Sequence, residues 1–448
     1  MVCFGTRMVF QAPCTQLHLQ ILKMKDITVL CKVVDNYGDI GFVYRLTREI
    51  SRRRPELRLR IVVSNLSSFA AMAPGLDAKK ARQEYNGNLV LDWNNEEICT
   101  KEFTENPPEI IFECFQCGRP EWLENLLFSK ENPPEHTVQI VNVEYLTAED
   151  WADDFHLLKS GTRSAKVKKI NFMPGFTART GGLVLDSHFM KCLEYKDYAL
   201  KTLQKGLPEP TGRTIAESVS DGSIFPVLIF SYPRDFSGII SGLAQFQEAQ
   251  KKKNPRFTVC IFAANGISLE PLIESHRNAG EPFPLIRLPY ISQRTWDALL
   301  TLTKFNLIRG EDSFSRACLS GIPFLWHAYP QENEFQLVKT RAVLSRIEPF
   351  FGGQKKIFEN YASLTQIYNR TPGKDTDADS QEAMNDYPES AEFTEAKRKS
   401  SESTLFCNLL LEYDTLSTAC KDFSRSLISN GDLAEHLLSY CDTLDFSR

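Results

Sequence analysis

Short, unbroken apolar runs alternate along most of the chain with longer stretches in which apolar positions recur at helical spacing. Runs of the first kind suit strands buried on both faces, and stretches of the second kind suit helices covering a parallel sheet. Asp26–Val34 (DITVLCKVV) predicts a strand from its β-branched content, Asp35–Gly41 (DNYGDIG) a polar loop, and Phe42–Arg54 a helix stopped at Pro55. Leu57–Ser64 is the next strand, so the chain opens as a βαβ unit. Further strands are predicted at Val90–Trp93, Glu109–Phe112 and Thr137–Val143, which sets Glu113, Glu144 and Tyr145 at strand carboxyl ends bordering one cleft. Asn171–Gly182 reads as a Pro/Gly loop and Ser187–Lys205 as helical.

A second α/β pattern begins at Pro226–Tyr232 and continues through a helix at Phe236–Lys252 and strands at Phe257–Ala263 and Leu285–Leu288. Tyr290, Gln293 and Trp296 then cluster at a loop-to-helix entry. Lys304–Gln331 is the stretch on which the pattern turns. It holds a strand (Phe305–Ile308), a tight turn at Arg309-Gly310, a helix from about Asp312 to Ser320 stopped by Gly321, and a strand at Pro323–His327. Thr371–Thr404 is rich in Asp, Glu, Ser and Lys and reads as a disordered insertion. An amphipathic pattern returns from Leu405 as terminal helices.

The fold class is therefore α/β, with two Rossmann-like lobes facing a cleft. The expected division is an extension at 1–23, a first domain at 24–205, a linker at 206–221, a second domain at 222–370, the insertion at 371–404 and C-terminal helices at 405–448. A chain of 448 residues is too long for one ordinary core, which agrees with two domains.

Apolar content of 42% and charged content of 24% are those of a globular protein. A net charge of −5 gives no support to a nucleic-acid binder or a polybasic membrane surface. No run approaches the ~20 apolar residues of a membrane span. The first residues make a poor signal peptide, and Met24 stands directly before the first strand. Twelve cysteines without a secretory signal argue for reduced thiols and a cytoplasmic location. Cys114 and Cys117 form a CxxC, but no second pair exists to complete a zinc site.

The candidate chemistry lies at strand ends. A strand running into a helix N-terminus at Gly310–Ser313 suits an anion, although Glu311 and Asp312 there are acidic. A plain capped helix, with Asp312 or Ser313 as N-cap, is the competing account. Asp35 and Asp39 flank a turn at the carboxyl end of the first strand, where open α/β sheets place ligands. An Asx-turn with an N-cap would equally explain them. Gly38 and Gly41 are too few for a dinucleotide fingerprint. Phe230, Tyr232, Tyr290 and Trp296 could stack a flat base, and Gln293 could pair with an amide edge, though such aromatics also serve cores.

Several motifs follow one another in a recognisable order. They are VVDNYGDIG (Val33–Gly41) with Tyr44-Arg45-Leu46, VEYLTAEDW (Val143–Trp151), PGFTARTGG (Pro174–Gly182), LPYISQ (Leu288–Gln293), IRGEDSFSRA (Ile308–Ala317) and YPQE (Tyr329–Glu332). In these the chain closely resembles the EarP family, arginine rhamnosyltransferases that modify bacterial translation elongation factor P. The resemblance runs from about Asp26 to Phe350, more weakly into the final helices. Departures are the N-terminal extension, the insertion, and Tyr290 and Trp296 where the family usually carries Phe or Tyr.

The resemblance implies a GT-B fold, dTDP-β-L-rhamnose as donor in the C-terminal lobe, one arginine of elongation factor P as acceptor, and inversion at the anomeric carbon. It carries the family's essential aspartates to Asp35 and Asp39 and its glutamate to Glu311. The thymine pocket falls on Tyr290, Gln293 and Trp296, with Phe230 lining the donor site. Tyr232, Arg309 and the amides of Glu311, Asp312 and Ser313 take the diphosphate and ribose. No metal or other cofactor is expected. Because a guanidinium titrates above about 12 and is a poor nucleophile, the acids must bind it and take its proton only as the C–N bond forms. On that logic Asp39 is expected as the general base and Asp35 as orienter, with Glu311 holding acceptor or donor across the cleft. On sequence alone the parts of Asp35 and Glu311 are interchangeable. The alternatives are a GT-B transferase with a small-molecule acceptor, or a non-catalytic nucleotide-binding protein.

Overall fold

The computed structural model describes residues 26–34, 36–371 and 395–445. Two mostly parallel sheets carry the architecture. The first holds β1 (Asp26–Cys31), β2 (Arg58–Val63), β3 (Arg82–Tyr85), β4 (Asn88–Asp92), β5 (Ile110–Cys114), β6 (Val138–Val143), β7 (Lys159–Ser160) and β8 (Val167–Phe172). The second holds β9 (Phe225–Ile229), β10 (Val259–Ala263), β11 (Leu285–Arg287), β12 (Phe305–Arg309) and β13 (Phe324–His327).

In the first lobe lie α1 (Asn36–Arg53), α2 (Leu66–Met72), α3 (Glu96–Glu105), α4 (Glu121–Leu127) and α5 (Trp151–Phe155). Then follow α6 (Ser187–Glu194), α7 (Lys196–Gly206), α8 (Thr211–Ser220), α9 (Ser237–Lys251), α10 (Leu269–Asn278), α11 (Gln293–Leu302) and α12 (Glu311–Ser320). The remaining helices are α13 (Phe335–Ile347), α14 (Lys355–Asn369), α15 (Glu395–Leu411), α16 (Tyr413–Ser429) and α17 (Leu433–Asp442).

The first sheet has the order β3-β4-β2-β1-β5-β6-β8-β7, with β3 and β7 antiparallel at its edges. Alternate residues of its inner strands feed two separate cores, one holding Val29, Ile61 and Val141 and the other Leu30, Val62 and Ile140. Burial on both faces is why these strands read as unbroken apolar runs. The second sheet, β11-β10-β9-β12-β13, is built the same way. In each sheet the chain starts at a central strand, winds one way, then returns and winds the other. The direction reverses between β1 and β5 in the first lobe and between β9 and β12 in the second. Open α/β sheets leave a crevice outside the strand carboxyl ends at that reversal.

The lobes join where two crossings lie side by side: Leu183 pairs with Asp432, and Leu433 N–H donates to Leu183 O at 2.9 Å. Gly182 (φ +75°) approaches so closely that a Cβ there would stand 2.7 Å from the carbonyl oxygen of Gly431. The second crossing carries α17 back to the first lobe, where Leu433, Leu437, Leu438 and Cys441 enter its core.

Three boundaries differ from the sequence expectation. The stretch expected as a polar loop, Asp35–Gly41, is helical from Asn36. Its glycine at Gly41 serves close packing, since a Cβ there would lie 3.1 Å from the Met72 methyl and 3.7 Å from Gln293 Nε2. The expected linker at 206–221 carries α8, and Phe189, Cys192, Ala199, Leu203, Ile215 and Val219 of α6 to α8 all pack into the second core. The boundary therefore falls at the Leu183 crossing, because the apolar faces of these helices need the second sheet. In the expected insertion, residues 372–394 lie outside the described residues, as does the extension at 1–23, whereas α15 already runs from Glu395. Gly238 and Gly242 of α9 permit that helix to dock: a Cβ on Gly242 would come within 2.8 Å of Ser403 O.

Candidate active site

In the second lobe, β12 ends at Arg309 and α12 begins after Gly310, which has φ 75° and ψ 156° and offers no side-chain cap. The first amides of α12 thus face the crevice without the local acceptor that Ser, Asn or Asp would supply. The expectation of Asp312 or Ser313 as N-cap is not met, because both sit inside the first turn. The Arg309 guanidinium is held between two rings, 4.7 Å over Phe230 and 4.8 Å over Tyr232. Its buried Nε has no hydrogen-bond partner among the described residues. Trp296 meets Phe230 edge-on at 5.1 Å and donates from Nε1 to Ser313 Oγ at 3.2 Å. Phe230, Tyr232, Trp296, Arg309 and Ser313 therefore form one continuous wall at the carboxyl ends of β9 and β12. Tyr290 is 72% exposed on the loop before α11.

Behind Tyr232 lies a buried polar group. His327 Nδ1 accepts from Tyr232 N–H at 3.3 Å and stands 2.6 Å from Ser231 Oγ, which in turn stands 2.8 Å from Tyr368 Oη. Burial, helped by Arg234 and Arg309, lowers the His327 pKa to about 3, so the ring is neutral.

The Asp312 carboxylate turns away from the helix start, and the Gln293 amide nitrogen is engaged between the lobes while its buried Oε1 has no hydrogen-bond partner among the described residues. Gln293 Nε2 donates to Gly41 O at 3.0 Å and to Asp312 Oδ2 at 3.1 Å, joining α11 to α1 and α12. Asp312 also accepts from Arg45 Nε at 2.8 Å and Nη2 at 2.9 Å. The other edge of Arg45 grips Asp297 on α11 with bonds of 2.8 and 2.9 Å, and Asp186 lies 3.5 Å away. Arg45 itself is fully buried. Burial pushes the Asp312 carboxyl up, but Arg45, Arg316 and Gln293 together hold it below the ordinary carboxylate value. For Asp297 burial wins over Arg45, and its carboxyl sits above the usual value. Burial also lowers Arg316 to about 10, with the like charge of Arg45 adding to the effect. This cluster crosses the seam between the lobes and fixes α1 against α11 and α12. Arg45, Asp186, Asp297 and Arg316 were not singled out as site residues from the sequence. The available signal was a charge embedded in an apolar stretch, as in Tyr44-Arg45-Leu46 and Asp297-Ala298-Leu299-Leu300.

On the first lobe, Asp35 lies outside the described residues. Asp39 stands in the first turn of α1, 4% exposed, and its Oδ2 accepts from Val34 N–H at 2.8 Å. Three residues on, Phe42 lines a narrow gap between the lobes together with Phe115, Leu146, Glu311 and Asp312. Glu311 lines this gap from the second lobe, and Asp39 lies one helical turn before Phe42 in the first. Phe42 meets Phe115 at a tilt, 5.0 Å between centroids, and Phe115 stacks on Tyr145 at 4.4 Å. Glu144 accepts from the side-chain amides of Gln116 and Asn142 beside them. Glu113, in contrast, is fully buried and bound by Arg119 and Lys169. Cys114 and Cys117 are free thiols whose pKa burial pushes up, Cys117 to about 12. Among the described residues no group of three or more His, Cys, Asp or Glu could hold a metal ion, and no helix is long and apolar enough to cross a membrane.

The family model of the elongation factor P (EF-P) rhamnosyltransferase EarP matches residues 27–442. The chain belongs to the EarP family. Among EarP relatives, the protein-arginine rhamnosyltransferase of Shewanella oneidensis is 31% identical over 329 residues, covering 70% of this chain and 79% of that protein. That of Pseudomonas putida is 29% identical over 318 residues, covering 71% and 80%. A solved structure described as the structural basis for EarP-mediated arginine glycosylation of translation elongation factor EF-P superposes with a TM-score of 0.51 at 17% identity. It covers 94% of this chain and 99% of the other. The fold is the GT-B arrangement of two Rossmann-like lobes that the EarP resemblance implied.

Proposed function

We propose that this chain transfers L-rhamnose from dTDP-β-L-rhamnose to a guanidinium nitrogen of one arginine of elongation factor P, inverting the anomeric centre, in the cytoplasm. The observation that supports this reading is an uncapped helix start next to Arg309, at a gap lined by Glu311 from the second lobe and Phe42 from the first. The uncapped start of α12 with Arg309 can hold an anion, and Asp39 with Glu311 can hold a cation.

In this reading Trp296, Phe230 and Tyr290 present flat faces to the thymine and ribose. Arg309 and the amides of Glu311, Asp312 and Ser313 hold the diphosphate, so the leaving group is neutralised without a metal or other cofactor. Preorganised donors of this kind are worth about 3 kcal/mol each in a site that excludes water. The acceptor guanidinium enters from the first lobe and is oriented by Asp35 and Glu311. A nitrogen lone pair attacks the anomeric carbon from the face opposite the diphosphate. The C–N bond forms as the C–O bond to the diphosphate breaks, and the proton lost from that nitrogen passes to Asp39. The products are α-rhamnosyl arginine and dTDP. The Val34 N–H bond to Asp39 orients the carboxylate. The Gln293 side chain and the Asp312 carboxylate support this indirectly, by fixing where the α12 amides point.

The test is incubation with dTDP-rhamnose and elongation factor P, followed by intact-mass and site mapping. A rhamnose-sized gain on one arginine supports the reading. Donor turnover with an unchanged factor would point to a different acceptor, and dTDP binding without turnover to a nucleotide-binding protein.

A further inference from the structure

The residues just beyond the cleft-lining Leu146 expose an unusual amount of apolar surface. Trp151 is 44% exposed, Phe155 45%, Leu157 43% and Leu158 48%, all within eight residues. Trp151 and Phe155 meet edge-on at 5.3 Å, so they form one surface. Large exposed apolar side chains grouped in this way, with a Trp among them, mark contact surfaces more often than ordinary exterior. The segment is held firmly. Ala152 is buried, Leu157 N–H donates to Asn171 O at 2.7 Å, and Arg346 of the second lobe binds Ala148 O at 2.9 Å and Asp150 at 2.8 Å. Ordering before contact lowers the entropic cost of association.

Two observations say what covers this surface. The first is its place. Leu146 lines the gap between the lobes with Glu311, and Trp151 follows five residues later, within about 18 Å even for a fully extended chain. The second is its charge. Residues 149–158 hold four carboxylates, Glu149, Asp150, Asp153 and Asp154, and no Lys or Arg. Arg179 faces Asp153 and Asp154, and Arg346 faces Asp150, but Asp150 is 97% and Asp154 76% exposed, so neither pair removes its charge from solvent. An apolar patch with an acidic border, at the rim of a cleft whose substrate is an arginine, fits a protein bearing apolar side chains ringed by basic groups.

The geometry points to Trp151, Phe155, Leu157 and Leu158 as the docking surface for the folded body of the protein acceptor, separate from the pocket that takes its arginine. This rests on the protein-arginine reading above. It supplies what a cleft gripping one side chain lacks, namely discrimination among the many arginines of other proteins. The acidic border steers the partner, and the aromatic pair holds it.

The test compares Trp151→Ser/Phe155→Ser with the unaltered full-length chain, using elongation factor P as acceptor. The acceptor KM should rise about tenfold or more, with kcat at saturating acceptor and affinity for dTDP changed less than about twofold. Asp154→Lys, a surface change that leaves packing alone, should raise the acceptor KM by itself and weaken its dependence on salt. Leu411→Ser removes an equally exposed apolar residue in the second lobe and should change nothing. The proposal is overturned if the aromatic double variant keeps the wild-type acceptor KM, or if Leu411→Ser raises it equally. It is also overturned if the patch mediates self-association in sedimentation while acceptor KM stays constant. A wild-type chain that neither modifies nor binds elongation factor P would instead fail the functional reading first, and this proposal with it.

Discussion

Arg45 on α1 and Asp312 on α12 meet across the lobe interface through two parallel hydrogen bonds, Nε to Oδ1 at 2.8 Å and Nη2 to Oδ2 at 2.9 Å. With its remaining edge Arg45 holds Asp297 in the same bidentate manner. One planar guanidinium is therefore the common partner of carboxylates on two helices of the second lobe. Buried ion pairs add little net stability compared with apolar packing, yet removing one partner strands the other charge. Arg45→Met should cost about 3–5 kcal/mol of unfolding free energy, read from urea denaturation. Arg45→Lys should recover only part of this, because an ammonium cannot serve two carboxylates in fork geometry. Equal stability of both variants and the wild type would show that the cluster does not hold the lobes.

Asp39 has one oxygen engaged by Val34 N–H, a bond that an asparagine carbonyl can also accept. Asp39→Asn should therefore keep the local backbone while removing the carboxylate proposed as base. Transfer should fall by about 10²-fold to 10⁴-fold, with dTDP affinity nearly unchanged. Calorimetric titration with dTDP beside single-turnover kinetics separates the two effects. A parallel loss of nucleotide binding would make Asp39 a structural cap of α1 and nothing more.

How much of this could be read in advance varies with how local each cause is. The sheets are legible because burial on both faces writes itself into unbroken runs such as Ile110–Phe112 and Val259–Ala263. The turn at Arg309-Gly310 is legible because a left-handed backbone asks for glycine. Gly41 carries the same letter for a different reason, the close approach of Met72 and Gln293 to a helix that begins at Asn36. Phe230, Trp296, Arg309 and Ser313 do come together as a wall. The side-chain partners of Gln293 and Asp312 include Gly41 and Arg45, some 250 positions away. No local pattern records such a pairing. The placement of α6 to α8 in the second lobe is likewise decided by which sheet their apolar faces meet.

Gly310 offers a variant that acts through the backbone alone. Its φ of 75° with ψ of 156° is open to glycine and strained for every L side chain, while a Cβ built there meets nothing within 4 Å. Gly310→Ala should therefore introduce no clash and still cost about 1–3 kcal/mol if the backbone stays in place. Relaxation of that strain would turn the first amides of α12 away from the crevice. The KM for dTDP-rhamnose should rise, and the KM for the acceptor should move much less. Equal changes in the two constants would argue against the α12 amides as the diphosphate cradle.

His327 sets an acid limit on stability. Its pKa is lowered by burial to about 3, against about 6.5 in an unfolded chain. The unfolded state therefore binds one more proton than the native state between these values, and stability present above pH 6.5 is lost as pH falls toward 3. The slope from this group is about 1.4 kcal/mol per pH unit. His156, lowered to about 4 mainly by burial, acts in the same direction over the upper part of the window. The native Nδ1 accepts from Tyr232 N–H, so protonation also removes a support from the ring that packs on Arg309. His327→Gln keeps a side-chain acceptor without the titration. Denaturation followed from pH 7 to pH 4.5 should show a shallower decline for this variant than for the wild type. Identical pH slopes would mean that His327 is not the group that limits acid stability.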